Sequence, residues 1–370
     1  MRRVVIAPDK FKGSLTASQA AAAIERGLRR AIPALEVRVI PMADGGEGTV
    51  DAFLATGARA ERHRVMGPLG ESVDAVFALD GSTAIVEMSA ASGLELISRD
   101  ERDALRADSF GTGELLRLAL DAGARRIVVG IGGSATNDAG AGMLRALGVR
   151  LLDAAGDELP PGGAALPRLA RIDLAALDAR IAAATIEVAA DVDNPLCGPN
   201  GASAIFGPQK GAGPEDVRVL DAALGHFADV AARTLGVDRR NEPGAGAAGG
   251  MGFALRAFLG ATLRAGVDIV ADLRGLGAAL KMADAAYTGE GSIDGQTLAG
   301  KTVAGVARLA HSAGVGRIVA FGGRVEAAAA HALCERYGVV TIAIADPDVP
   351  RERAMREAAM LLERAAAAAG

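Results

Sequence analysis

The chain has 370 residues, 50% of them hydrophobic, 3% aromatic and none tryptophan, and a formal net charge of −5. That length is enough for two domains with sizeable cores, while the shortage of stacking rings and the negative charge argue against a nucleic-acid partner. Two cysteines, Cys197 and Cys334, with no CxxC pair, point to neither a disulfide framework nor a zinc site.

Arg2-Arg3 leads into a short strand and then into Pro8 and charges, without the long apolar region of a signal peptide. No run approaches the roughly 18 apolar residues of a membrane span. The expectation is a cytoplasmic protein with no membrane partner. Residues 3–7 read as a buried strand, followed by the loop Pro8-Asp9-Lys10-Phe11-Lys12-Gly13-Ser14. Thr16 or Ser18 can cap a helix running to about residue 32, with alanines, Ile24 and Leu28 on its apolar face. A second strand, 37–40, precedes Pro41-Met42-Ala43-Asp44-Gly45-Gly46-Glu47-Gly48-Thr49 and another helix. Strand, loop and helix alternate, which implies an α/β layer with a parallel sheet and ligands beyond the carboxyl ends of its strands.

Residues 59–88 follow a different pattern, in which short alternating runs separated by Gly67-Pro68 and Asp80-Gly81 suggest antiparallel hairpins. Helix and strand alternate again from about 110 to 153, and 154–184 reads as a connection with an irregular helix. A strand at 186–190 leads to Asp191-Val192-Asp193-Asn194-Pro195, followed by a helix near 215–235, a Gly-rich loop at 243–252 and a helix through Phe258. Strands near 285–288, 317–321 and 339–344 restore the α/β rhythm, and the Ala-rich tail 353–369 reads as a terminal helix. The implied organisation is one discontinuous Rossmann-like α/β domain, 1–60 with 280–370, and a second α/β domain, 61–279, inserted into it.

The most informative stretch is Val128-Val129-Gly130-Ile131-Gly132-Gly133-Ser134-Ala135-Thr136-Asn137-Asp138-Ala139-Gly140-Ala141-Gly142. A buried strand enters it, and a helix through Met143, Leu144 and Leu147 leaves it. Glycines let backbone N–H groups approach an anion, and a helix N-terminus adds a favourable field. Gly132, Gly133, Ser134, Thr136 and Asn137 therefore form a candidate phosphate cradle, and Asp138 a candidate ligand for a divalent cation.

Lysine is scarce, and Lys10, Lys12, Lys210 and Lys301 lie in or beside Gly-rich polar loops, where a flexible ammonium suits phosphate. Acidic residues share those loops: Asp9, Asp44, Glu47, Asp138, Asp191, Asp193, Glu290 and Asp294. A kinase needs one or two carboxylates for Mg²⁺ and often another to accept a hydroxyl proton, although ordinary turn and capping chemistry also places Asp in loops. Gly130, Gly132 and Ala135, with Asp153 further on, also satisfy a dinucleotide fingerprint, so an NAD(P)-dependent oxidoreductase is the rival reading. A non-catalytic regulator that binds a small acid or nucleotide is a second. Gly295-Gln296-Thr297-Leu298-Ala299-Gly300-Lys301-Thr302 spells a Walker A string. Its strand is expected to end near Thr288, so the match is read as accidental, with Lys301 kept as a phosphate candidate. The four histidines, His63, His226, His311 and His331, lie outside these loops.

Several stretches together resemble the type I glycerate kinase family, in order and over nearly the whole chain. They are residues 7–15, 43–49, Glu87-Met88-Ser89-Ala90-Ala91-Ser92-Gly93-Leu94, 130–143, 191–196, Phe206-Gly207-Pro208-Gln209-Lys210-Gly211-Ala212, 243–252 and Thr288-Gly289-Glu290-Gly291-Ser292-Ile293-Asp294. One departure is Ser292, where the family pattern more often has Arg. The resemblance implies ATP-dependent phosphorylation of D-glycerate, usually at the 2-hydroxyl, with Mg²⁺. It also implies two α/β domains, a flavodoxin/Rossmann-like parallel-sheet domain and an inserted mixed one, with the active site in the cleft. On this reading Lys10 and Lys12 neutralise the transferring group or the substrate carboxylate, and Asp44 or Asp191 orients the acceptor hydroxyl or holds Mg²⁺. Glu290 and Asp294 are further metal candidates, Lys210 and Lys301 further phosphate contacts, and the protein acts as a monomer or homodimer.

Overall fold

Val4, Val5 and Ile6 expose 2% or less of their surface and form the heart of the first strand. In this computed structural model, which describes residues 3–46, 48–298, 300–346 and 348–370, the strands in chain order are β1 (Arg3–Ile6), β2 (Glu36–Val39), β3 (Arg59–Met66), β4 (Ser72–Asp80), β5 (Thr83–Glu87), β6 (Arg126–Gly130), β7 (Arg150–Leu152), β8 (Arg171–Asp173), β9 (Thr185–Ala189), β10 (Thr262–Arg264), β11 (Ala285–Ile293), β12 (Arg317–Val325) and β13 (Val339–Ala343). The chain divides into two compact units, Met1–Asp44 with Ala265–Gly370, and Gly45–Arg264.

In the first unit the order is β13-β12-β11-β1-β2 with every pairing parallel. Counted along this unit alone, that is the flavodoxin-like order 2-1-3-4-5, whose reversal lies between β1 and β11; ligands of such sheets bind outside the carboxyl ends at that point. The helix Ala17–Ala31 starts where Thr16 and Gln19 cap each other reciprocally, Gln19 N donating to Thr16 Oγ1 at 3.2 Å and Thr16 N to Gln19 Oε1 at 2.9 Å. Its buried face, Ala20, Ala21, Ala23, Ile24, Gly27 and Leu28, packs in one core with Tyr287, Phe321, Leu361 and Leu362. The tail is helical as expected, in two pieces, Arg351–Arg356 and Ala358–Ala368.

One expectation fails here. β11 does not end near Thr288; it runs on to Ile293, because β12 continues beside it and pairs Glu290 with Gly322 and Ile293 with Val325. The glycines that look like a loop in the sequence allow close strand approach instead: a Cβ on Gly289 would lie 2.6 Å from the Phe321 carbonyl oxygen.

The second unit holds a six-stranded mixed sheet, β10-β9-β6-β5-β4-β3. β10, β9, β6 and β5 are parallel, and β5, β4 and β3 form the antiparallel hairpins expected from 59–88. β7 and β8 make a small separate ribbon. Phe77, Leu115, Leu116, Met143, Leu144, Phe227 and Phe253 are among the residues of its core.

The units change over at 44/45 and 264/265, against the expected 60 and 280. The helix Thr49–Leu54 is tied into the second unit, with Val50 N donating to Glu87 Oε1 at 2.8 Å. The helix Gly266–Leu273 presses against Thr302–Ser312 of the first unit, where a Cβ on Gly305 would lie 2.5 Å from Val267.

Gly27 supplies a test of how the terminal helix docks. Ala is favoured over Gly inside a helix by ~1 kcal/mol, yet a Cβ here would lie 2.2 Å from the Glu363 carbonyl oxygen. Forcing packed backbones apart costs about 1–3 kcal/mol, so the clash wins. Gly27→Ala is expected to lower the urea midpoint; a raised midpoint would show that the two helices are not locked at this contact.

Candidate active site

The second unit gathers its polar loops at the carboxyl ends of β5, β6 and β9. β6 ends at Gly130, where a Cβ would lie 2.2 Å from the Gly45 carbonyl oxygen. The following Gly132 and Gly133 are exposed, and Gly133 has φ of 72°. The loop is stitched to the segment after β5: Leu94 N donates to Gly133 O at 2.8 Å, and Ala135 N to Ser92 O at 2.9 Å. Beyond this exposed tip the loop turns inward. Ser134 is 5% exposed, and Thr136, Asn137 and Asp138 are fully buried.

Asp138 organises that inner part. Its Oδ2 accepts from Ser109 N at 3.0 Å, Ser109 Oγ at 2.7 Å and Gly142 N at 3.1 Å, and its Oδ1 accepts from Gly140 N at 3.1 Å. Met143 N donates to Ser109 Oγ at 3.0 Å. Two expectations change as a result. The helix that leaves the loop is only Ala141–Ala146, and amides at its start are spent on Asp138 and Ser109, leaving no helix-end field for an external anion. Asp138 itself, buried and filled with protein donors, does not fit a metal ligand.

A second glycine loop braces the first. Ala139 N donates to Gly249 O at 3.0 Å, and a Cβ on Gly249 would lie 2.0 Å from the Thr136 carbonyl oxygen. Ala139 and Ala248 have φ of 54° and 52°, and they are the positive-φ residues other than glycine among the described residues. Each left-handed alanine stores roughly 1–2 kcal/mol of strain. Both are held where the two loops meet.

Lys210 is 1% exposed and donates from Nζ to the Thr136 carbonyl at 2.7 Å. Burial pushes its ammonium down to about 7, with the Asp138 carboxylate opposing that shift. Asn137 Nδ2 donates to Ser203 Oγ at 2.9 Å, while Asn137 Oδ1 and Thr136 Oγ1 are buried without a partner.

In the first unit the switch point between β1 and β11 collects carboxylates. Asp9, 7% exposed, follows β1, and its amide donates to Gly289 O at 2.9 Å. Its Oδ1 accepts from Lys10 N at 2.6 Å and its Oδ2 from the Thr302 hydroxyl. Burial, then the neighbouring Asp44, raise Asp9 to about 6. Glu290 of β11 accepts from Thr297 Oγ1 at 2.6 Å. Burial raises Glu290 to about 7, with Asp9 and Asp294 pushing the same way and Lys301 opposing. Lys301 Nζ donates to Gln296 Oε1 at 2.7 Å. The Walker-like string is therefore no P-loop: a short helix, Gly295–Leu298, stands between β11 and Lys301, and Thr297 and Thr302 hold the two buried carboxyls.

Lys10, Asp44, Glu290, Asp294 and Lys301 thus lie in the first unit, and Ser134, Thr136, Asn137, Asp138 and Lys210 in one cluster of the second. Lys12 and Asp191 sit on exposed loop positions. Glu47 lies outside the described residues. Among the described residues, no group of three or more His, Cys, Asp or Glu is placed to hold a metal. Mg²⁺ carried with nucleotide phosphates needs only one or two carboxylates, fewer than such a group. Residues without an assigned role in the sequence reading, Ser109, Ser203, Thr297 and Thr302, prove to be the supports; for Thr297 and Thr302 the one signal was their place in the Walker-like string.

The family described as the glycerate kinase family matches this chain over residues 4–370. The chain belongs to that family. It is 49% identical to a protein of Bacillus subtilis (strain 168) named glycerate kinase, over 98% of this chain and 96% of that one. It is 52% identical to the glycerate 2-kinase of Escherichia coli (strain K12), over 83% and 82% of the two chains. A crystal structure from Salmonella typhimurium LT2, provisionally assigned as glycerate kinase 2, superposes with a TM-score of 0.89 at 46% identity, covering 100% of this chain and 97% of that one. Membership in a glycerate kinase family removes the oxidoreductase and regulator readings. The geometry agrees on the first: Asp153, the supposed ribose ligand, is spent on its own turn and on Arg168, at 2.9 Å. Burial pushes the Cys197 thiol up to about 12, which disfavours the thiolate a nucleophile would need.

The carboxyl pair predicts a pH effect. In the folded chain Glu290 keeps its proton to about 7 against 4.5 for a freely solvated side chain, and Asp9 to about 6 against 3.8. The folded state then binds more protons, so this contribution is complete below about pH 4 and lost as pH rises toward 7. In the ligand-free protein without divalent cations, Glu290→Gln is expected to match the parent Tm near pH 4 and exceed it at pH 8. An offset that is the same at both pH values would refute the raised carboxyl.

Proposed function

We propose that the protein phosphorylates D-glycerate with ATP, giving 2-phosphoglycerate and ADP. The observation that carries this reading is likeness along the full chain, at 49% identity, to a protein named glycerate kinase. The 2-hydroxyl is taken from the Escherichia coli relative's name, glycerate 2-kinase. The geometry supports a phosphoryl-transfer enzyme. A loose, highly charged transition state asks for positioning and charge neutralisation rather than covalent chemistry, and the conspicuous features here are rigid glycine loops, lysines and buried carboxyls.

On this reading the exposed backbone of Gly132 and Gly133, with Ser134, holds nucleotide phosphates. Lys10 and Lys12 neutralise the transferring group or the glycerate carboxylate, with Lys301 a further phosphate contact. Asp44 or Asp191 orients the acceptor hydroxyl and takes its proton. Glu290, with Asp294 near it, would hold Mg²⁺, which neutralises phosphate charge when bound. The protein acts on a small molecule, and among the described residues no helix is long and apolar enough to cross a membrane.

ADP release with ATP, Mg²⁺ and D-glycerate is the direct test, with enolase added in a parallel reaction. Phosphoenolpyruvate is expected, because enolase accepts 2-phosphoglycerate and not 3-phosphoglycerate. ADP without phosphoenolpyruvate would move the transfer to the 3-hydroxyl, and no ADP would reject the reading. Asp44→Asn and Asp191→Asn tell the two acids apart. The residue that orients the hydroxyl should lose about 10²–10⁴-fold in kcat, the usual worth of a positioned base, with Tm retained. Near-normal turnover removes that residue from the role.

A further inference from the structure

We infer that Lys210 is a positioning residue: from behind the glycine loop it fixes the Thr136 carbonyl, and so the course of the 132–136 backbone, without meeting the substrate itself. The inference rests on the reading that this loop holds nucleotide phosphates, and it departs from the expectation that Lys210 contacts them.

Three observations carry it. First, Lys210 is 1% exposed and its ammonium bonds to a main-chain carbonyl on the buried side of the loop, whereas the exposed tip is Gly132 and Gly133. Second, one short segment grips two successive loop residues. Ser203, on the helix Ala202–Phe206, accepts from Asn137, and Lys210, in the turn Pro208–Lys210, donates to Thr136. Gly249 closes the same carbonyl off, since a Cβ there would lie 2.0 Å from it. The Thr136 peptide is therefore set by an ammonium and by a backbone that tolerates no side chain.

Third, two polar side-chain atoms at this point of the loop are already unmet. Thr136 Oγ1 and Asn137 Oδ1 are already buried without partners. Removing the Lys210 donor would add a third orphan polar atom, the Thr136 carbonyl, to the same two residues. A buried polar group deprived of its partner costs far more than an average hydrogen bond contributes, so the loop would leave this conformation to reach water.

Met and Gln have equal length and differ in the donor, so Lys210→Met and Lys210→Gln in the full chain isolate it. Two readouts are needed: hydrogen exchange of the peptide spanning 130–142 without ligand, and KM for ATP and for D-glycerate measured separately. For Lys210→Met, exchange in the loop and KM for ATP are each expected to rise about tenfold, the size of one lost buried hydrogen bond, while KM for D-glycerate stays within about twofold. Lys210→Gln is expected to recover most of both losses, because a neutral amide donor can serve a carbonyl. Equal impairment of the two variants would overturn the inference in favour of direct charge contact with phosphate, and so would unchanged loop exchange in Lys210→Met. If Lys210→Met does not fold, Lys210→Gln decides alone: loop protection near the parent's supports the inference, and a tenfold rise rejects it. If the parent protein fails to phosphorylate glycerate, the exchange comparison still stands, so the two readings fail separately.

Discussion

The carboxylate of Asp138 is the point on which the second unit's loop depends. Four donors converge on it: the amide and hydroxyl of Ser109 and the amides of Gly140 and Gly142. A buried charge is tolerable only when its lone pairs are met in this way, and here meeting them fixes the geometry. Asp138 draws in the start of the helix Ala141–Ala146 and the segment before Phe110, so the chain between β6 and that helix must turn twice in a small space. Ala139 accepts a left-handed conformation as a consequence. The strain at Ala139, the bracing by Gly249 and the buried Lys210 all meet the same loop.

The first unit solves a different problem at the end of its sheet. The flavodoxin-like strand order puts its switch point between β1 and β11, and acids, Asp9 and Glu290, stand at the carboxyl ends there. Thr297 and Thr302 each give one hydroxyl to a carboxyl there, but burial and neighbouring carboxylates, Asp44 for Asp9 and Asp9 with Asp294 for Glu290, win, and both stay raised. A pair of carboxyls that resists ionisation alone becomes a favourable environment once positive charge is supplied. Lys301 supplies part of it from the same connection and is itself tethered to Gln296.

The regular elements were legible where local chemistry and burial agree. The Thr16–Gln19 capping box and the alanine face mark the helix Ala17–Ala31, and alternating residues mark the hairpins of β3, β4 and β5. β11 was cut short because Gly289 and Gly291 spell a loop, although glycine there serves close contact with β12 and Phe11. β8 and β10, three residues each, carry too little pattern to be read. The loop that attracted attention in the sequence is where the second unit concentrates its buried polar residues. The tasks within it were not legible: Asp138 reads as a cation ligand until Ser109, 29 residues away, arrives beside it, and Lys210 reads as a phosphate contact until its burial is known. Sequence spacing reports which groups share a loop, but not which side of the loop each one faces.

That distinction bears on how a chain with so few aromatic rings can recognise a charged substrate. Without stacking platforms, recognition falls to backbone dipoles and ionic groups, which act only if they are held still and kept from water. Holding backbone still by side-chain packing requires bulk, and bulk is what close approach to an anion forbids. On the proposed reading, the glycine loops resolve this by moving the bulk and the charge one layer back. Gly132 and Gly133 stay bare at the surface, while Asp138, Lys210 and Ser203 carry the restraint from within. The buried ionic groups are accordingly better understood as the loop's skeleton than as its reagents.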